Sequence, residues 1–87
     1  MEVRINRRRW KIIESELPDG VLGMCVFSAP SVILRPKLRP QNRLGTLTHE
    51  LLHAVHPDMS ETEVARTEKI IAGVLWRDGW RRNPKTK

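Results

Sequence analysis

The segment 41–60, QNRLGTLTHELLHAVHPDMS, decides the fold of this 87-residue chain and carries its most informative motif. Leucines at positions 44, 47 and 51 recur at the spacing of one helix face, and Val55 continues the same apolar stripe. His56 precedes Pro57, and a residue before proline is pushed out of the helical region. We therefore predict a helix that begins at about Gln41 and ends near Val55.

Within this helix, the motif HELLH at 49–53 places two histidines four residues apart. They lie about 40° apart around the axis and one turn apart along it, so both imidazoles can bind one tetrahedral zinc ion. Both point about 150° or more away from the centre of the leucine stripe, so they do not belong to the core. Glu50 then lies where it can deprotonate a zinc-activated water and later protonate the leaving amine.

The sequence leaves the third metal ligand open. His56 shares the face of the two motif histidines, but on a straight helix it lies about 7–9 Å along the axis from the expected metal level. Glu68 falls near that level if a second helix packs antiparallel to the first, on an apolar face where an unpaired charge would be costly. The remaining candidates are carboxylates that also have ordinary roles at a turn or a helix start: Asp58, Glu61 and Glu63.

A second helix is predicted after the capping box SETE at 60–63. Val64, Ile71 and Leu75 define its apolar face, and Gly79 is expected to end it.

The first half of the chain predicts short strands, because alternating or continuous apolar stretches are separated by proline and glycine. The stretch Ser31–Leu34 lies between Pro30 and Pro36, so we expect it at a sheet edge, where it could also pair with an extended substrate. The predicted fold class is α+β: a small, mostly antiparallel sheet from residues 2–38, followed by two helices. We expect one domain over residues 1–82 and a flexible basic tail at 83–87.

The charge distribution indicates which partners the protein could bind. The net charge is +6, which makes nucleic acid the first partner to consider. Residues 1–43 carry nine Lys/Arg against four acids, residues 44–80 carry three against six, and 81–87 add four cations. The positive charge is thus not one stripe, and we expect only weak nucleic-acid contact through the basic termini. The lone Cys25 and the absence of a long apolar run predict a cytoplasmic protein that does not contact membranes.

Several short stretches resemble one class of enzymes: HELLHA at 49–54, Pro57-Asp58, Ser60-Glu61, Val64 and LWRDGWR at 75–81. They look like the short metallopeptidases encoded by bacteriophages and prophages, which are similar in kind to minimal gluzincins such as the SprT-like and ImmA/IrrE-like groups. The resemblance covers residues 44–82. It implies a zincin-like fold, a Zn²⁺ cofactor, a peptide or protein substrate and, for a phage protein, the host cytoplasm. It also assigns His49 and His53 as zinc ligands, Glu50 as catalytic base and Glu61 as the third ligand.

One departure from that pattern matters. Many zincins stabilise the oxyanion with tyrosine or histidine, and this chain has no tyrosine; His56 or Arg66 would have to take that role.

The alternative function is a non-catalytic module for binding protein or nucleic acid, in which the metal stabilises a small domain.

Overall fold

The first half of the protein forms four strands in the computed structural model, which describes residues 1–82. They are β1 (Glu2–Ile5), β2 (Arg8–Glu14), β3 (Gly23–Val26) and β4 (Ser31–Leu34), in the sheet order β1-β2-β4-β3. The pairs β1–β2 and β3–β4 are antiparallel, and β2–β4 is parallel. With two helices following the sheet, the predicted α+β class is confirmed. The tail predicted at 83–87 lies outside the described residues.

The expectation that Ser31–Leu34 lies at a sheet edge is wrong. β4 lies inside the sheet, with Val32 opposite Ile12 of β2 and Cys25 of β3. Proline excludes a strand from the interior only where a ladder N–H is required. Pro30 precedes β4, and its carbonyl accepts a hydrogen bond from the Lys11 amide (3.1 Å). The edges of the sheet are therefore β1 and β3.

The second half forms α1 (Pro40–Val55) and α2 (Glu61–Arg77), close to the predicted bounds. The capping box is present: the Ser60 hydroxyl accepts from the Glu63 amide (3.2 Å), and the Glu63 carboxylate accepts from the Ser60 amide (3.3 Å). Gly79 follows the helix with φ +91°, the left-handed conformation that glycine adopts without steric cost. Among the described residues, no helix combines the length and apolar character needed to span a bilayer.

The core lies between the inner face of the sheet and the leucine side of α1. Its buried members are Ile5, Trp10, Ile12, Val32, Leu34 and Ala54, with Leu47 and Leu51 packed against them. This confirms that the leucine stripe faces the sheet, which turns the opposite side of α1, with its two histidines, toward α2.

The apolar face predicted for α2 is only partly correct. Val64 is fully buried and Leu75 half-buried, but Ile71 is 41% exposed. The face that packs on α1 instead contains Val64, Glu68 and Ala72, which are four residues apart. On this face, the small Ala72 leaves room for the groove, and the charged Glu68 contacts the side-chain cluster; both are described next.

Candidate metal centre

Three side chains meet where the end of α1 passes the start of α2. The Nε2 atom of His49 lies 3.1 Å from Oε1 of Glu61, and Nε2 of His53 lies 2.9 Å from Oε2 of the same carboxylate. One ligand atom from each of the three residues lies within 4.8 Å of the others. This His-His-Glu group can hold a metal ion.

The local sequence explains how Glu61 reaches both histidines. The four-residue spacing puts His49 and His53 on one face of α1. A short turn follows, in which the Met59 amide donates to the His56 carbonyl (3.0 Å), and Ser60 caps the next helix. α2 then runs back along α1, and its first residue, Glu61, lies across the two imidazoles.

Glu68 contacts the other nitrogen of His49. Its Oε1 atom lies 3.0 Å from Nδ1 of His49, where the Nδ1–H can donate to the carboxylate. If Nδ1 carries the proton, the lone pair of Nε2 points toward Glu61, where it could bind a metal. Gly45 makes this approach possible, because a Cβ atom at that position would lie 2.9 Å from Oε2 of Glu68.

Among the candidates for the third ligand, these contacts favour Glu61. Glu61 faces the Nε2 atoms, whereas Glu68 lies behind His49 and orients it. Glu63 is engaged in the capping box of α2. The two remaining candidates, His56 and Asp58, are exposed and lie outside the three-residue cluster.

Glu50 lies beside this cluster and is only 9% exposed. Burial raises the pKa of its carboxyl group; the nearby His49 and His53 lower it, and Glu61 and Glu68 add to the rise. Among the described residues no side-chain N or O atom is both fully buried and unpartnered, so the Glu50 carboxylate keeps access to the adjoining groove.

Strand β3 closely approaches Glu50 at Gly23. A Cβ atom at Gly23 would lie 2.6 Å from Cγ2 of Thr46 and 3.1 Å from Cγ of Glu50. The charge of Glu50 also affects the Cys25 thiol on the same strand. Burial, and to a smaller extent this charge, raises the pKa of the thiol to about 11. The edge strand of the sheet therefore packs directly against the carboxylate.

A groove of about 560 Å³ opens beside Glu50 and His49. Its walls come from the loop before β3, the first half of α1 and the middle of α2. Neither His56 nor Arg66, the residues suggested for oxyanion stabilisation, lines it. Among the described residues, Lys69 is the one lysine or arginine that lines the groove. Nothing in the spacing of the sequence singled it out.

Sequence reasoning also missed the role of Gly45. A signal was present, because glycine inside a helix costs about 1 kcal/mol relative to alanine and usually has a packing or functional reason. Its position four residues before His49 puts it on the same face as the motif.

The chain matches no protein-family model, no curated protein and no solved structure at significant similarity. The interpretation of the site therefore rests on its own geometry.

Proposed function

We propose that this protein is a zinc-dependent metallopeptidase, with His49, His53 and Glu61 as metal ligands and Glu50 as general base. One observation carries the proposal: a His-His-Glu cluster lies next to a buried carboxylate that opens onto a groove.

The donor set favours zinc over the hard divalent cations. Two imidazole nitrogens and one carboxylate oxygen are the protein ligands of many catalytic zinc sites, which keep a further position for water or substrate. Calcium and magnesium prefer sites built from oxygen atoms. The Glu68 carboxylate behind His49 supports the same reading, because metal-binding histidines usually donate their second N–H to such a group.

A zinc ion in this site would polarise a peptide carbonyl and lower the pKa of a water molecule to about 7. Glu50 would take the proton from that water at its carboxylate and pass it to the nitrogen of the leaving amine. Burial, which raises the pKa of Glu50, suits a group that must hold a proton between these two steps. Lys69 is our candidate for stabilising the charge that develops on the carbonyl oxygen.

The substrate would bind along β3. Because β4 lies inside the sheet, it offers no free ladder for a peptide, and the edge strand that approaches Glu50 is β3. An extended peptide could add to this edge through main-chain hydrogen bonds. Gly23 brings this edge close to the carboxylate, because its missing Cβ lets the strand pack against Thr46 and Glu50.

The first experiment is elemental analysis of the purified, untagged protein together with a His53→Ala variant. We expect one zinc ion per chain, lost in the variant because one of three protein ligands is missing. A Glu50→Gln variant should retain zinc and fold but lose cleavage of an unfolded protein substrate. Folded protein without bound zinc after metal loading would refute the metal site.

The Glu50→Gln variant also separates the enzyme from the non-catalytic, metal-stabilised module. If binding of a partner is the function, this variant should keep it, together with zinc and stability. Loss of zinc on chelation should lower the melting temperature in either case, because a ligand that binds the native state stabilises it.

A nucleic-acid contact is the second candidate function, and the β1–β2 hairpin favours it. The hairpin exposes five cationic side chains: Arg4, Arg7, Arg8, Arg9 and Lys11. Its tryptophan, Trp10, is 2% exposed and packs edge-to-face on Phe27, so it offers no surface for base stacking. We therefore expect weak, backbone-directed binding that falls steeply between low and moderate salt. Salt-independent binding, or none at low salt, would remove this candidate.

The proposed compartment remains the reducing cytoplasm, because Cys25, the one cysteine in the sequence, is a free thiol.

A further inference from the structure

One wall of the groove beside Glu50 contains a glycine that the packing of the protein does not require. Gly73 lies in the interior of α2 and lines the groove, and a Cβ atom built there meets nothing within 4 Å. Glycine inside a helix is less stable than alanine, because it loses more backbone freedom on folding. The contacts of the folded protein give no structural reason for this glycine.

The other glycines of the groove differ in this respect. Gly23 and Gly45 are each in close contact, so a Cβ atom would collide with Thr46 in the first case and with Glu68 in the second. Their presence follows from packing. Gly73 alone among these three has open space in front of it, and that space is the groove.

A second, independent observation points to a ligand in the same place. Glu50 is a carboxylate that is only 9% exposed, and it lines the groove at the end next to His49. The groove has a volume of about 560 Å³, within the range of ligand-binding pockets, and Ala72 and Gly73 line the same groove.

We propose that this groove is the subsite for a large, uncharged side chain of the substrate, and that Gly73 keeps it open. The apolar body of the bound side chain would lie against Val21, Leu22 and Ala72. A charged side chain would be disfavoured, because burying it against these apolar residues carries a desolvation cost, and the opposite charges of Glu68 and Lys69 largely offset each other. This inference rests on the proposed metallopeptidase function, since it places the subsite next to the residues that would cleave the peptide.

Amino-acid hydroxamates test the subsite without requiring turnover. Each carries the same zinc-binding group and α-amino group, and they differ only in the side chain. With zinc-loaded protein, calorimetry should show phenylalanine hydroxamate binding about tenfold or more tightly than glycine hydroxamate, the gain expected for burying an aromatic side chain. Lysine and glutamate hydroxamates should gain little over the glycine compound.

Two variants locate the effect. Gly73→Leu places an isobutyl group in the groove at this wall and should sharply reduce the preference for phenylalanine hydroxamate, with zinc content and glycine hydroxamate affinity unchanged. Gly73→Ala is the matched control: it should keep most of the preference and raise the melting temperature. Methyl resonances of Val21, Leu22 and Ala72 should shift with the phenylalanine compound and stay in place with the glycine compound.

The outcomes separate this inference from the proposed function. Protein that binds no zinc would refute both. Protein that binds zinc and all hydroxamates equally, or whose preference survives in Gly73→Leu, would refute the subsite and leave the metal site standing. Tightest binding by a charged hydroxamate would overturn the proposed class of side chain.

Discussion

Replacing Gly45 by alanine should weaken zinc binding without destabilising the metal-free protein. The new methyl group would lie 2.9 Å from Oε2 of Glu68, closer than a real contact allows, so the carboxylate must move. Because it is the far end of a flexible side chain, it can move at little cost. We expect this movement to break the hydrogen bond, 3.0 Å long, between Oε1 of the same carboxylate and Nδ1 of His49.

The expected magnitudes follow from these two changes. Losing the Glu68–His49 hydrogen bond costs about 0.5–1.5 kcal/mol of stability. Exchanging glycine for alanine inside α1 returns about 0.5–1 kcal/mol through helix propensity. The net change in unfolding free energy should therefore lie within about 1 kcal/mol of zero. Zinc affinity has no such compensation, and loss of the group that orients a metal-binding histidine typically lowers it about 10–100-fold.

Two measurements check this prediction: urea unfolding of the metal-free protein, and zinc affinity by competition with a chromophoric chelator. Gly73→Ala is the matched control, since it makes the same exchange in α2 with nothing within 4 Å of the new atom. It should gain stability and bind zinc like the wild type. Wild-type zinc affinity in Gly45→Ala would refute the view that Glu68 orients His49, provided that the imidazole ¹⁵N shifts show that the hydrogen bond between His49 and Glu68 has been lost.

Three further predictions concern the neighbouring residues. The raised pKa of Glu50 means that its ionised form is disfavoured in the folded protein, so the residue lowers stability at pH values above its ordinary pKa of 4.5 and not below them. Urea unfolding should therefore show metal-free Glu50→Gln to be more stable than wild type at pH 7. This gain should vanish as the pH falls below about 4. The Cys25 thiol, with a pKa of about 11, should react with a disulfide reagent at pH 8 much more slowly than in urea-unfolded protein, and equal rates would contradict its burial. Ser60→Ala should lose the cap of α2 and cost about 1 kcal/mol, seen as roughly 4–8 °C in melting temperature; Thr62→Ala, an exposed neighbour, is its control and should change little.

The sequence predicted those features that depend on local spacing. The bounds of α1, the capping box at Ser60 and the pairing of His49 with His53 on one face all follow from helix periodicity and from short-range hydrogen bonding. The choice of Glu61 came from a resemblance, because spacing alone could not say how α2 would lie against α1. The axial estimate did bring Glu68 to the level of His49, but its carboxylate contacts Nδ1 of the imidazole, whereas Glu61 contacts Nε2.

Features that depend on how distant segments meet were not predictable in this way. The prolines on either side of Ser31–Leu34 suggested an edge strand, yet the hairpin of β3 and β4 folds back so that β4 pairs with β2. No pattern within the strand itself distinguishes these outcomes, because neither proline occupies a position from which a ladder N–H must be donated. The consequence is functional, since it moves the free edge available to a peptide from β4 to β3.

The three groove glycines show why one residue type has to be read separately at each position. At Gly23 and Gly45 the missing Cβ allows a strand and a carboxylate to approach α1, so substitution there should disturb Glu50 and His49, respectively. At Gly73 the missing Cβ leaves only open space, so a large side chain there should disturb what enters the groove, whereas alanine should mainly stabilise the helix. A helix-destabilising residue without a contact to justify it is most simply explained by a ligand that the folded chain alone does not contain. The same exchange to alanine therefore has three different expected effects, which only the surroundings of each glycine can explain.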